Sequence, residues 1–334
     1  MSNGLTNVEL VKYLGLPSDI ITQIATGASE TYQAAKNTFL DALYNKVIYS
    51  EVTGNSFDNP FKKYDGYPVQ YGDTVESIFV ETPSGYKYDE NNENPFKQQK
   101  PSVKALYSSI NYDMQYKVTI KDAILRKACL NQYGFMGLID YILMSLQEAM
   151  KLDEYFATIK MLNNAEIFAN GFETISVKGM TDEDKAKLVA KKIVNTTSLF
   201  SKPNKKNNKM KVMTNAKSDN ILLVIKTELL NSINMDYLTG VFNLNKVDLI
   251  KNIIDVETFQ VEQYDTTTGA TTLVGDDIDF MIIDTRGFEN HVALQDGGMI
   301  YNPEGKYTNH YTNLWKILAF KYFRNARAFK LSNA

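Results

Sequence analysis

Apolar and polar residues alternate from Lys104 to Ile120. Leu106, Ser108, Ile110, Tyr112, Met114, Tyr116, Val118 and Ile120 take every second position, and Lys104, Ser109, Asn111, Asp113, Gln115, Lys117 and Thr119 fill most of the others. A period of two marks a half-buried strand. At about 3.3 Å per residue such a strand reaches roughly 50 Å, where ordinary strands run to about 20 Å. A compact chain of this length has a radius of gyration near 20 Å, so the strand is expected to leave the body of the molecule. A shorter run upstream, Val69, Tyr71, Val75, Ile78, Phe79 and Val80, supplies a partner, and the tripeptide Asn-Pro-Phe brackets it at Asn59–Phe61 and Asn94–Phe96. Together they predict a long hairpin arm. Between the two runs, Asp89 to Lys100 is charged and amide-rich with one Phe and one Pro, which predicts a solvated tip.

Helical periodicity dominates elsewhere. Val8, Leu10, Val11, Leu14 and Leu16 are followed by Ile20, Ile21 and Ile24, with Pro17 as the break, and Thr31 to Val47 continues at helical spacing. The most regular helix runs from Leu138 to Leu162, about 38 Å at 1.5 Å per residue, preceded by a turn over Lys121–Leu130. Gly134 and Gly137 suggest a kink between them. A further helix is expected over Thr181–Leu199, where Thr181 can cap and the following acids favour the amino end. It ends in a basic polar loop, Ser201–Lys209.

Beyond that loop the pattern alternates. A strand is predicted at Met210–Met213, a helix at Asp219–Leu230, elements at Val241–Asn243 and Asp248–Val256, a hairpin of Gln260–Tyr264 with Thr271–Val274, and a buried strand at Asp279–Ile283. This reads as an α/β lobe. The tail from Tyr311 to Phe329, with the single Trp315, reads as a long strand or strand pair returning to the 38 Å helix.

Composition narrows the function. The 334 residues suffice for two or three lobes, and 39 acids against 36 bases argue against a dedicated nucleic-acid binder. No apolar run approaches the roughly 20 residues that cross a bilayer, and the first ten residues lack the pattern of a secretory signal. The single cysteine, Cys129, excludes an internal disulfide and reads as a buried thiol. Phosphate-binding glycine loops, a Gly-x-Ser-x-Gly elbow and Cys/His zinc spacings are all missing, so no catalytic residue, cofactor or metal is assigned. His291 and His310 stand 19 positions apart in loop-like contexts. Asp276, Asp277, Asp279 and Asp284 form the one acidic cluster that could hold a cation or serve a carbohydrate-binding or hydrolytic protein, though a solvated strand edge explains them as well. The 39 aromatics, mostly tyrosine, suit large protein interfaces better than base or glycan stacking.

The segment order, together with the blocks Pro101–Lys160 and Ala293–Phe329, resembles the major capsid proteins of tailed bacteriophages, and in particular those of small short-tailed, phi29-like phages of Gram-positive hosts. The resemblance implies an α+β, HK97-like fold. It implies an N-terminal helical arm (1–50), an E-loop hairpin (51–120), a peripheral domain (121–205 and 285–334, with its spine helix about 136–163) and an axial domain (206–284). It also implies a non-enzymatic homo-oligomer of hexamers and pentamers, closing an icosahedral shell around double-stranded DNA with weak non-specific contact. A separate scaffolding protein and a portal protein are the implied partners, with assembly in the host cytoplasm. Neither an appended immunoglobulin-like domain nor an N-terminal scaffolding segment is expected. Lys62, Lys63, Lys87 and Lys97 lie in the arm, but no lysine–asparagine crosslink is assigned to them. Contact with neighbouring subunits is expected from Phe61, Tyr64, Tyr86, Phe96, Tyr107, Tyr112 and Tyr116. An encapsulin-type compartment, which shares this fold, is the related alternative.

Overall fold

A computed structural model describes residues 7–26, 29–47, 57–70, 72–83, 85, 100–124, 126, 134–233, 252–264 and 271–333. The helices are α1 (Asn7–Leu14), α2 (Ile20–Thr26), α3 (Ser29–Val47), α4 (Gly134–Leu162), α5 (Asp182–Phe200) and α6 (Thr227–Ser232). The strands are β1 (Val75–Val80), β2 (Val103–Ser108), β3 (Tyr112–Lys121), β4 (Phe172–Ser176), β5 (Ile221–Lys226), β6 (Asn252–Val256), β7 (Val261–Tyr264), β8 (Thr271–Val274), β9 (Phe280–Asp284), β10 (Phe288–Asn302), β11 (Tyr307–Phe320) and β12 (Ala326–Ser332). Two units result, one of Met1–Asn59, Tyr112–Glu154 and Leu294–Trp315, the other of Pro60–Asn111, Tyr155–Ala293 and Lys316–Ala334.

The second unit is built on a five-stranded sheet, β4-β12-β9-β5-β6. Its central strands are apolar on both sides because both sides are covered. From β5, Leu222 and Val224 join Met281, Ile283, Ala326 and Ala328 against Ile159, Leu162, Phe168 and Phe320. Ile221, Leu223 and Ile225 point the other way, with Phe280, Ile282 and Phe329, onto Ala186, Val189, Ala190, Ile193 and Phe200 of α5. Thr181 caps α5 by accepting from the Asp184 amide at 3.2 Å, ahead of three acids in the first turn, as its sequence signal implies.

The first unit holds α1–α3, with Val11, Ile20, Ile24, Tyr32, Ala35 and Phe39 buried. β3 lies at the edge of the sheet ordered β10-β11-β3, and within the first unit Gln115 donates to Asn313 at 2.9 Å and Thr119 to Asn309 at 2.7 Å. Lys36, fully buried on α3, donates to Asp122 at 3.1 Å, and its ammonium lies 3.4 Å from the Tyr301 ring centre. Burial, with the Lys36 charge adding to it, holds the His310 imidazole down to a pKa of about 4. Since an unfolded histidine titrates near 6.5, the unfolded chain takes up a proton that the native one refuses. The contribution is therefore intact above about pH 6.5 and is lost as pH falls towards 4, about 3 kcal/mol in all. Melting temperatures followed from pH 7 to pH 4.5 should fall less steeply in His310→Gln than in wild type; equal slopes would remove His310 from this role.

Several expectations change. The single strand expected over Lys104–Ile120 is two, β2 and β3, in different sheets. Asn111 ends the first: its side-chain amide donates to the Leu318 carbonyl and accepts from the Leu318 amide, both at 2.8 Å, as a backbone ladder would. The helix expected over Asp219–Leu230 is β5 followed by the short α6, because an apolar run buried on both faces carries no period to tell strand from helix. Met210–Met213 is loop, with Lys211 at φ 53°. Gly134 and Gly137 lie within the span of α4, and residues 127–133 before it lie outside the described residues. The β7–β8 hairpin and the buried β9 stand where they were expected, and the tail resolves into β11 and β12. The tip at 89–99, Cys129, Val241–Asn243 and the β7–β8 turn lie outside the described residues.

Candidate functional site

The β1–β2 hairpin is where the sequence places intermolecular contact. Antiparallel pairing sets Glu76 opposite Tyr107, Ile78 opposite Ala105 and Val80 opposite Val103 on one face, and Val75, Ser77 and Phe79 with Lys104, Leu106 and Ser108 on the other. Strand alternation makes the two faces chemically different.

The second set is fastened to its own unit. Glu289, buried on β10, accepts from the Ser77 and Ser108 hydroxyls, the latter at 2.6 Å. Lys321 brings its ammonium to 3.7 Å from the same carboxylate. Phe79 packs on Phe323 with ring centres 5.3 Å apart, and Lys104 donates to the Met210 carbonyl at 2.7 Å. The approach to β1 is equally fixed. Tyr64 stacks almost parallel on Phe288 at 4.9 Å, and Phe61, 1% exposed, packs against Phe288 and Tyr155. Gly66 passes so close to His291 that a Cβ there would lie 2.6 Å from the ring.

The first set faces outwards. Ile78 is 56% exposed, Val80 57%, Val103 55% and Tyr107 68%, a contiguous apolar surface on a two-stranded sheet. Tyr107 is held across the strands by donating to Glu76 at 2.7 Å, and that bond raises its phenol pKa.

The residues proposed from sequence therefore separate. Tyr107 lies on the open face. Phe61 and Tyr64 are part of the packing that orients the hairpin, and burial pushes the Tyr64 hydroxyl up to about 12. Tyr112 and Tyr116 belong to β3 in the other unit, where their hydroxyls meet at 2.8 Å; burial raises both, Tyr112 to about 12. Tyr86 and Phe96 lie outside the described residues, as do Lys87 and Lys97. Sequence reasoning missed Ile78, Val80 and Val103 as surface residues and Glu289 as their anchor. Only the strand register distinguishes the two faces.

The acidic cluster is occupied by cations of the protein itself. Lys226 pairs with Asp277 at 2.5 Å and Asp279 at 3.3 Å, Lys330 with Asp276, and Arg286 with Asp284 at 2.7 Å. Among the described residues no group of three or more His, Cys, Asp or Glu side chains is arranged to hold a metal. No described helix is long and apolar enough to cross a membrane.

Comparison with known proteins agrees over nearly the whole chain. The family described as Phi29-like phage major capsid protein matches residues 18–330. The major capsid protein of Bacillus phage B103 is 27% identical over 303 residues, and that of Bacillus phage PZA 25% over 303 residues. Each alignment covers 89% of this chain and 64% of the relative, so the chain spans less than two thirds of their length. A chain in the capsid structure of Staphylococcus phage Andhra superposes with a TM-score of 0.61 at 13% identity, covering 85% of this chain and 88% of that one.

Proposed function

The chain belongs to the Phi29-like phage major capsid protein family, and from that premise we propose that many copies of it build the icosahedral head that encloses phage double-stranded DNA. Its fold is the α+β, HK97-like phage capsid fold. The observation that carries the proposal is the two-faced hairpin. One face is locked by Glu289, and the other leaves Ile78, Val80, Val103 and Tyr107 in water. An exposed apolar sheet face of this kind marks an interaction site, and in a shell of identical subunits the neighbouring copy covers it.

In this reading β1 and β2 are the root of the E-loop (51–120), residues 1–50 are the N-terminal arm, α4 is the spine helix of the peripheral domain (121–205 and 285–334), and 206–284 form the axial domain. The role is structural and not catalytic. Hexamers and pentamers assemble in the host cytoplasm with a separate scaffolding protein, and a portal protein occupies one vertex of the virion shell. Of the arm lysines, Lys62 pairs with Asp65 at 2.9 Å.

Electron microscopy of the expressed chain, with and without co-expressed scaffold, should show closed particles. A species that stays monomeric under every such condition would overturn the proposal. Deleting residues 89–100 should leave the far-ultraviolet circular dichroism unchanged and abolish or misdirect assembly. Unaltered particles would separate the tip from the interface.

A further inference from the structure

The connection from α5 to β5, residues 201–220, contains Lys202, Lys205, Lys206, Lys209, Lys211 and Lys217 against a single acid, Asp219 near its end, in a chain whose acids outnumber its bases. We propose that this loop is a docking surface for the phosphate backbone of double-stranded DNA, read without sequence preference. The inference rests on the shell reading, which places duplex DNA beside the protein.

The lysines are presented by a built platform. Asn204 donates from its side chain to the carbonyls of Leu199 and Lys202, both at 2.8 Å, and exchanges backbone bonds with Thr214 in both directions at 3.2 Å. Asn208, fully buried, donates to the Val212 carbonyl at 2.8 Å and accepts from its amide at 2.9 Å. Lys211, between them, is held in the left-handed region at φ 53°, a conformation that a side-chain-bearing residue adopts only when its surroundings impose it. Ala216 donates to Phe200 at 2.8 Å and closes the loop onto the end of α5. From Lys211 onwards the chain is extended. Val212, Thr214 and Ala216 turn inwards, while Lys211, Met213, Asn215 and Lys217 turn out.

Charge accumulates on this platform. Lys209 pairs with Glu166 at 3.0 Å, whereas Lys202, Lys205, Lys206, Lys211 and Lys217 are exposed and make no ion pair among the described residues. Two further cations reach the same backbone, Lys104 at the Met210 carbonyl and Arg286 at the Asn215 carbonyl, 2.7 Å each. Against these eight stand Glu166, the Glu81 beside Lys104, the exposed Asp219 at the end of the connection, and the buried Asp284 that pairs with Arg286.

The residue types select the partner. Cores of protein–protein interfaces are poor in lysine and rich in aromatic side chains, and residues 201–218 contain lysines and asparagines and no Phe, Tyr or Trp. Without aromatic rings there is no stacking platform for a single strand. Within the loop there is also no arginine fork to read a base edge. Compact ammonium groups on a rigid backbone are suited to duplex phosphates.

The test is a fluorescence-anisotropy titration of a labelled 30-base-pair duplex with the full chain from 50 to 200 mM salt. The variant Lys202→Gln/Lys205→Gln/Lys206→Gln/Lys211→Gln is compared with a control, Lys12→Gln/Lys117→Gln/Lys178→Gln/Lys121→Gln, which removes four exposed charges elsewhere. The loop variant should bind at least tenfold more weakly at 50 mM salt and flatten the dependence of log K on log salt by about 3 to 4. The control should keep the wild-type slope. Wild-type slope in the loop variant, or no duplex binding by wild type at 50 mM, would overturn the proposal. Capture of poly-glutamate in place of DNA would do the same and reassign the loop to an acidic protein. Particles are imaged in parallel. A loop variant that still closes shells but loses the duplex supports the assignment, while duplex binding by a chain that never assembles sinks only the shell reading.

Discussion

Replacing Val80 with lysine and Val103 with glutamate should leave a folded subunit that no longer assembles. The two positions face each other across the hairpin on its open side, so the new charges pair with one another and the hairpin keeps its register. Surface changes of this kind alter stability by about 0.5 kcal/mol or less. In a dry contact between copies the same pair must be desolvated, at a cost of several kcal/mol. Each 1.4 kcal/mol is a factor of ten in association, so every contact weakens by roughly 100-fold or more. Sedimentation velocity should show subunits where wild type gives particles, with an unchanged melting temperature. Shells of normal yield would mean that neighbours do not cover this face.

The second large effect concerns folding. Asp122→Ala strands the Lys36 ammonium, which is fully buried and 3.1 Å from the carboxylate it would lose. Burial already lowers the Lys36 pKa even with its partner present. Breaking such a pair costs about 3–5 kcal/mol, whereas removing both charges together is close to neutral. Urea unfolding should therefore show a large fall in midpoint for Asp122→Ala and substantial recovery in Lys36→Met/Asp122→Leu, with the slope unchanged in both. A loss below about 1 kcal/mol in the single variant would show that water reaches Lys36. Tyr301, which donates to the other Asp122 oxygen at 3.1 Å, couples β10 to the same pair.

The elements that were legible in the sequence are those whose burial is one-sided. The α5 stripe of Ala186, Val189, Ala190 and Ile193 and the cap at Thr181 are both local signals. The period-two run was equally legible as strand and misread as one strand. Its interruption depends on Asn111, whose amide meets Leu318, a partner 207 positions away. β5 failed for the opposite reason. Ile221–Lys226 has almost no polar position to betray its period, because the sheet is covered on both sides. Phe61 and Tyr107 look alike in sequence as aromatic arm residues, yet one is 1% exposed and the other 68%.

By itself, the order of residues determined that this chain has a helical start, a β arm, a long helix and an α/β lobe, because each follows from periodicity and capping within a few residues. Only the tertiary structure decided which face of the arm is free. A strand has two equivalent sides until something distant claims one, and here Glu289 and Phe323, more than 200 residues downstream, claim the side of Ser77 and Phe79 and leave Ile78 and Val80 exposed.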